Sequence, residues 1–133
     1  MKIDVRLAQN PEGQQIKQLA TESGFGIEDL DWSIVYPYWI VAEHEAIMTG
    51  AIQVCPSLPV GRLEMLCTPR ELSHRMRAQT VKSLLLAGLE ALRQHGSKMA
   101  SGIIPFEMKS YKRMVKKRGG MVVANGNVMM WKL

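Results

Sequence analysis

The chain has 133 residues, 47% of them hydrophobic and 22% charged, with a formal net charge of +5. That length supports one domain over residues 1–133 with a core of its own, and the composition is that of an ordinary soluble globular protein. No apolar run approaches the ~18 residues a membrane span needs, and two cysteines, Cys55 and Cys67, make neither a metal pattern nor a disulfide framework.

Both cysteines sit in apolar strand patterns and read as reduced core thiols of a cytoplasmic protein. The opening Met1-Lys-Ile-Asp-Val-Arg alternates polar and apolar and lacks the apolar core of a signal peptide. The positive balance permits an anionic partner, whether coenzyme, nucleic acid or acidic peptide.

Lys2 to Leu7 alternates Ile3, Val5 and Leu7 and predicts a first strand. Asn10-Pro11-Glu12 predicts a helix start with Asn10 as N-cap, and the helix should end near Ser23-Gly24. Residues 27–33 predict a short second helix or turn. Trp39 to Ala42 predicts a strand, Glu43-His44-Glu45 a polar turn, and Ala46 to Cys55 the returning strand of a hairpin. Gly61 to Cys67 is the next strand.

A polar, basic turn from Arg70 to Thr80 follows, then a helix over Thr80 to Arg93 with Val81, Leu84, Leu85, Leu89 and Leu92 on one face. Gly88 inside that helix costs ~1 kcal/mol relative to alanine, which points to a close approach to a neighbouring backbone. Lys98 to Ile104 is a strand, and Glu107 to Arg118 a helix stopped by Gly119-Gly120. Met121 to Ala124 and Val128 to Lys132 flank Asn125-Gly126, a hairpin signal because Asn-Gly accepts the positive φ angles of a tight turn. The order β-α-α-β-β-β-α-β-α-β-β describes a mixed α/β sheet with at least one parallel pair across the long helix.

The stretch from Arg62 to Gly96 is a strand feeding a cationic turn that opens a helix. Free N–H groups and the dipole of a helix start favour an anion there, and Arg75 and Arg77 add mobile positive charge. His74 beside them reads as solvated.

The element order resembles that of the GNAT N-acetyltransferase superfamily over nearly the whole chain. Val41-Ala42-Glu43 with Gly50-Ala51 looks like the family's central antiparallel strands. Leu63 to Cys67 with Thr68-Pro69 looks like its fourth strand, and Tyr111 to Gly120 before a hairpin looks like its last helix. The resemblance implies a mixed, mostly antiparallel sheet of about six to seven strands flanked by about four helices. Against the family's coenzyme signature, Arg/Gln-x-x-Gly-x-Gly/Ala, this chain offers Arg75-Met-Arg77-Ala78-Gln79-Thr80. Ala78 and Thr80 stand where small glycines are usual, and the Thr80 hydroxyl can donate to a phosphate oxygen instead. The family's tyrosine acid falls at Val115 by spacing, with Tyr111 one helical turn earlier on the same face.

The implied activity is acetyl transfer from acetyl-CoA to a primary amine of a small molecule or peptide. It implies that Arg75, Arg77, Ala78, Gln79 and Thr80 hold the coenzyme phosphates, that Leu66, Cys67 and Thr68 pair with pantetheine, and that a backbone N–H of Leu66 or Cys67 meets the thioester carbonyl. Glu64, a lone carboxylate in an apolar strand, is the candidate base, and pairing with Arg62 or with a basic group of a neighbouring strand is its purely structural alternative. Tyr111 is the candidate acid. The aromatic run Trp32, Tyr36, Tyr38, Trp39 reads equally as pocket wall or core. Lys109, Lys112, Arg113, Lys116 and Lys117 form a basic stripe, by default a solvated face. The altered motifs keep open a second class: a GNAT-like domain without turnover, of the kind phages encode, serving protein or nucleic-acid interaction. Exposed edge strands admit a homodimer.

Overall fold

The computed structural model describes residues 2–25, 31–103, 113, 115–117, 119–122 and 128–133. Strands β1 (Asp4–Leu7), β2 (Trp39–His44), β3 (Ile47–Cys55), β4 (Val60–Cys67), β5 (Met99–Ile103), β6 (Met121–Val122) and β7 (Val128–Lys132) accompany helices α1 (Gly13–Glu22), α2 (Trp32–Val35) and α3 (His74–Gln94). The chain packs as two compact units, Met1–Gln53 with Met65–Ala87, and Val54–Glu64 with Gly88–Leu133. Strand β4 and helix α3 contribute to both. The strand order is β1-β2-β3-β4-β5-β7-β6, with β4 and β5 parallel and β1/β2, β2/β3, β5/β7 and β6/β7 antiparallel. This is the expected mixed, mostly antiparallel α/β sheet.

In the first unit, Ile16, Leu19 and Ala20 of α1 pack with Trp32, Trp39, Val41, Met48, Ala51 and Cys67. The aromatic run thus divides. Trp32 and Trp39 are core, with ring centroids 6.1 Å apart, whereas Tyr38 is exposed. The Trp32 Nε1–H donates to the Asn10 carbonyl at 2.8 Å, which satisfies the one polar atom a buried indole carries. The helix start differs from the sequence expectation. Asn10-Pro11-Glu12 is itself a 3-10 turn capped by Gln9, whose N–H donates to the Glu12 carboxylate at 2.7 Å. Glu12 is fixed by a bidentate pair with Arg6, both contacts 2.7 Å, and Arg6 also reaches Glu43 of β2. The hydrogen bond from Arg6 holds the Glu12 carboxyl below its ordinary range.

The β2–β3 turn is tighter than expected. Glu43 and His44 belong to β2, and the chain reverses at Glu45 and Ala46, with φ of 50° and 65°. Two left-handed residues match the twist of the flanking strands. On the core side, Gly50 of β3 admits α3: a Cβ there would lie 2.8 Å from Thr80 Cγ2 and 2.9 Å from the Cys67 carbonyl oxygen.

In the second unit the parallel pairing runs from Val60↔Met99 to Leu63↔Gly102. Gly88 marks a close approach, but to a side chain and not to the expected backbone: a Cβ at 88 would lie 2.7 Å from Leu63 Cδ2. Leu92 is fully buried, as are Leu84 and Leu85 in the first unit, each worth about 1.5–3 kcal/mol of transfer free energy.

The helix ends share one device. At α1, Gly24 N–H donates to Thr21 and Phe25 N–H to Ala20; at α3, Gly96 donates to Arg93 and Ser97 to Leu92. Before the last hairpin, Gly119 donates to Lys116 and Gly120 to Val115. Gly24, Gly96 and Gly119 have φ near +90°, so each of these three ends is a glycine-dependent Schellman motif. Residues 115–117 are helical and Val115 is fully buried. The β6/β7 pairing fits the Asn125-Gly126 hairpin, whose turn, like Tyr111, Lys109 and Lys112, lies outside the described residues.

Candidate functional site

Strand β4 continues for four residues past its last pair with β5. At Met65 its backbone turns left-handed, φ 53°. A non-glycine residue in that region is costly and tends to persist where function or packing requires it. Leu66 and Thr68 are half-buried beyond this kink. Cys67 is buried, and its Sγ–H donates to the Ala51 carbonyl at 3.6 Å. Burial pushes the Cys67 thiol up to about 12, so it is a core group and no nucleophile. Burial likewise raises the Cys55 thiol, with the nearby Glu64 charge adding to the effect.

Helix α3 begins six residues before the sequence expectation, which made Arg70 to Thr80 a turn. Ser73 caps it: the Met76 N–H donates to Ser73 Oγ at 3.2 Å and the Arg77 N–H to the Ser73 carbonyl at 2.9 Å. The intrahelical ladder therefore starts at Arg77, and the amides of Ala78, Gln79 and Thr80 lie inside it. They are not free to cradle a phosphate. Among the described residues, the N–H groups of Ser73, His74 and Arg75 are the donors of this helix start left without a partner. Serine just ahead of a helical run is a standard N-cap signal, and it was legible in Ser73-His-Arg-Met.

The predicted phosphate ligands part ways. Arg75 is exposed, with no partner among the described residues, and it belongs to the first turn of α3. Arg77 is occupied: its Nε donates to Thr68 Oγ1 at 3.2 Å, and its Nη2 to the carbonyls of Pro69 at 3.1 Å and Arg70 at 3.0 Å. It clamps the β4–α3 loop. Ala78 and Gln79 are exposed. Thr80 is fully buried, and its hydroxyl donates to Thr49 Oγ1 at 2.9 Å. The hydroxyl expected to face a phosphate faces the sheet instead, because position 80 falls on the inward stripe with Val81, Leu84 and Leu85.

Glu64 is 3.4 Å from Arg62, Oε1 to Nη1, with 29% of its side chain exposed. This is the pairing named as its structural alternative. Among the described residues its Oε2 has no polar partner. The basic stripe keeps Arg113, Lys116 and Lys117 exposed.

A ligand suited to this arrangement is anionic at the first turn of α3 and can hydrogen-bond along the part of β4 that has no β5 partner among the described residues. The residues present fit a phosphate-bearing group at Ser73 to Arg75 and do not fit one at Ala78 to Thr80.

No protein-family model and no curated protein matches the sequence. Solved structures do match the fold. N-acetylglutamate synthase from Neisseria gonorrhoeae, complexed with coenzyme A and L-arginine, superposes with a TM-score of 0.78 at 12% identity, over 98% of this chain and 33% of that one. The chain thus spans about a third of that enzyme's length. PaiA N-acetyltransferase from Thermoplasma acidophilum, in complex with coenzyme A, gives 0.74 at 14% identity over the whole of both chains. YncA from Salmonella typhimurium, with its cofactor acetyl-CoA, gives 0.77 at 13% identity over 98% of this chain and 94% of that one. With this strand order, a fourth strand kinked at Met65 and the long helix α3 after it, the chain has the fold of the GNAT acetyltransferases.

Proposed function

We propose that the protein is an acetyl-CoA-dependent N-acetyltransferase acting on a primary amine, in the cytoplasm. The observation that carries this reading is the continuation of β4 past its last parallel pair, through the Met65 kink, toward the open first turn of α3. The coenzyme complexes of the fold's neighbours support the choice of ligand. The unpaired thiols of Cys55 and Cys67 are in keeping with a reducing compartment. Among the described residues no helix is long and apolar enough to cross a membrane.

Acetyl-CoA would supply an activated acyl thioester. The amides of Ser73 to Arg75 and the Arg75 guanidinium would hold its phosphates, and the strand edge at Leu66 to Thr68 its amide-bearing arm. The Arg77 clamp fixes the loop that joins these two parts, so both recognition elements are oriented before ligand arrives. Glu64 can take a proton from the amine at Oε2 while Arg62 holds Oε1. Tyr111 remains the candidate acid by its position in the sequence.

A second reading has its own observation. The amides of Ala78 to Thr80 are consumed inside α3, which suits a GNAT-like domain without turnover that binds a protein or nucleic acid. Thermal denaturation with millimolar acetyl-CoA, and ADP as phosphate control, decides between them. A ligand at ~100 times its Kd stabilises the fold by ~2.7 kcal/mol. A shift specific to acetyl-CoA, followed by thiol release with an amine, supports the transferase. No shift overturns it and leaves the interaction domain.

A further inference from the structure

Strand β1 forms one edge of the sheet. Its bonding sides are fixed at both ends. The Ala8 N–H donates to the Trp39 carbonyl at 2.9 Å, and the Lys2 carbonyl lies 2.8 Å from His44 Nδ1. In an antiparallel pair the backbone groups of successive residues point to opposite sides of the strand. Lys2, Asp4, Arg6 and Ala8 therefore face β2, and Ile3, Val5 and Leu7 face outward. Among the described residues these outward N–H and C=O groups have one partner, the Arg6 Nη1, which donates to the Leu7 carbonyl at 3.1 Å.

Edge strands are commonly kept from pairing by a proline or a bulge. Residues 2–8 contain no proline, and the register with β2 is continuous from Asp4 to Leu7. The side chains of the outward set are all apolar, with Val5 39% and Leu7 63% exposed. Asp4 and Arg6 lie on the opposite face. Asp4 stands directly across from Glu43 of β2, a like-charge pair that disfavours the strand contact. Lys2, 3.5 Å from Asp4, offsets it weakly because both side chains are well exposed. Arg6 is held in place by Glu12 and Glu43.

We propose that this edge pairs antiparallel with the same edge of a second copy, about a two-fold axis at Val5. In that register the two Val5 residues exchange a pair of backbone hydrogen bonds, and Ile3 of each copy exchanges a pair with Leu7 of the other. Val5 packs on Val5 and Leu7 beside Ile3, which covers the exposed apolar side chains. Asp4 comes opposite Arg6 of the other copy, twice. The neighbouring symmetric registers, centred on Asp4 or on Arg6, set carboxylate on carboxylate or guanidinium on guanidinium. That face carries Lys2 and Arg6 against Asp4, Glu12 and Glu43, so the alternation of charge, not a net attraction, selects the register. A second copy supplies the matching alternation by symmetry alone. Strand β1 is four residues long, so the pairing buries less than the roughly 1,200 Å² of a standard interface and the dimer depends on concentration. The proposal is independent of coenzyme binding and of turnover.

Sedimentation velocity of the full chain, from low micromolar to near-millimolar concentration, should show a reversible monomer–dimer equilibrium. Val5→Pro removes an outward N–H and leaves the ladder to β2 intact, and it should weaken the dimer at least ~tenfold. Should that variant misfold, Leu7→Lys, at an exposed position, should weaken it equally. Asp4→Lys, which sets a cation against Arg6 of the other copy, should also weaken it while relieving the contact with Glu43. Oxidation reads the register. Val5→Cys places two thiols on Cα atoms about 5.5 Å apart, within reach of a disulfide, and should link most chains where the dimer prevails. Leu7→Cys places them about 13 Å apart and should link no faster than the native protein, whose Cys67 is buried and Cys55 half-buried. A monomer at every concentration, whether or not its edge takes up some other strand, overturns the proposal. So does a dimer indifferent to the three substitutions, or equal cross-linking from positions 5 and 7.

Discussion

Thr80→Val removes a hydroxyl and keeps the side-chain shape. In the native protein Thr80 Oγ1 donates to Thr49 Oγ1 at 2.9 Å, and the two residues are 0% and 3% exposed. Valine at 80 strands the Thr49 hydroxyl in an apolar site, and an unpaired buried hydroxyl costs about 1–3 kcal/mol. In a chain of this size that lowers Tm by roughly 4 °C per kcal/mol. Thr49→Val should cost about the same for the same reason. The double variant should recover most of the loss, because replacing both partners with apolar groups of equal shape is close to neutral. Urea unfolding of the four proteins closes a double-mutant cycle, and the Tm gain from acetyl-CoA is measured on each. Stability should follow the cycle while the ligand-induced gain stays constant. A Thr80→Val protein of native stability that no longer responds to acetyl-CoA would refute the reasoning, since the hydroxyl would then face the ligand. So would a double variant as unstable as the sum of the singles.

Other consequences follow from the same geometry. Arg75→Ala should abolish most of the acetyl-CoA-induced Tm gain and leave the stability of the unliganded protein within about 0.5 kcal/mol of native. Arg77→Ala should instead destabilise the free protein by about 1–2 kcal/mol through the loss of its contacts to Thr68, Pro69 and Arg70; the opposite pattern would exchange their roles. Gly50→Ala should cost about 1–3 kcal/mol, because the added methyl meets the Cys67 carbonyl as well as Thr80, and a neutral result in denaturant melts would remove the close approach of α3 to β3. The Glu12 carboxyl is held below its ordinary 4.5 by the Arg6 hydrogen bond. Its contribution is therefore fully present above that value and lost as pH falls through the depressed one. Glu12→Gln should lower stability at pH 7 by at most about 1 kcal/mol, given its partial solvation, and the gap should close on acidification; a gap constant from pH 7 to 3 would dismiss the pair as the cause.

Where the sequence was legible, the signal was local. Alternation gave β1, and the inward stripe Val81, Leu84, Leu85, Leu89 and Leu92 gave the buried face of α3. Glycine at positions 24 and 119 gave helix ends, since a left-handed C′ residue is a property of one peptide unit. The failures were also specific. Arg70 to Thr80 is rich in polar residues, and its helical half has no apolar face to announce it before Thr80; Ser73 was the cue, and it is a single residue. Asn10 looked like an N-cap, but the Arg6–Glu12 pair and the Trp32 indole on the Asn10 carbonyl place the cap at Gln9.

The sequence by itself determined the element order, the strand-to-helix entrance at the end of β4 and the basic residues near it, because these depend on periodicity and on neighbours within a few positions. Only the tertiary structure decided what each of those residues does. Thr80 turns to Thr49, Arg77 grips its own loop, and Glu64 meets Arg62. Hydrogen bonds and charge pairs act over a few ångströms in space, and which groups come that close is fixed by packing, not by spacing along the chain.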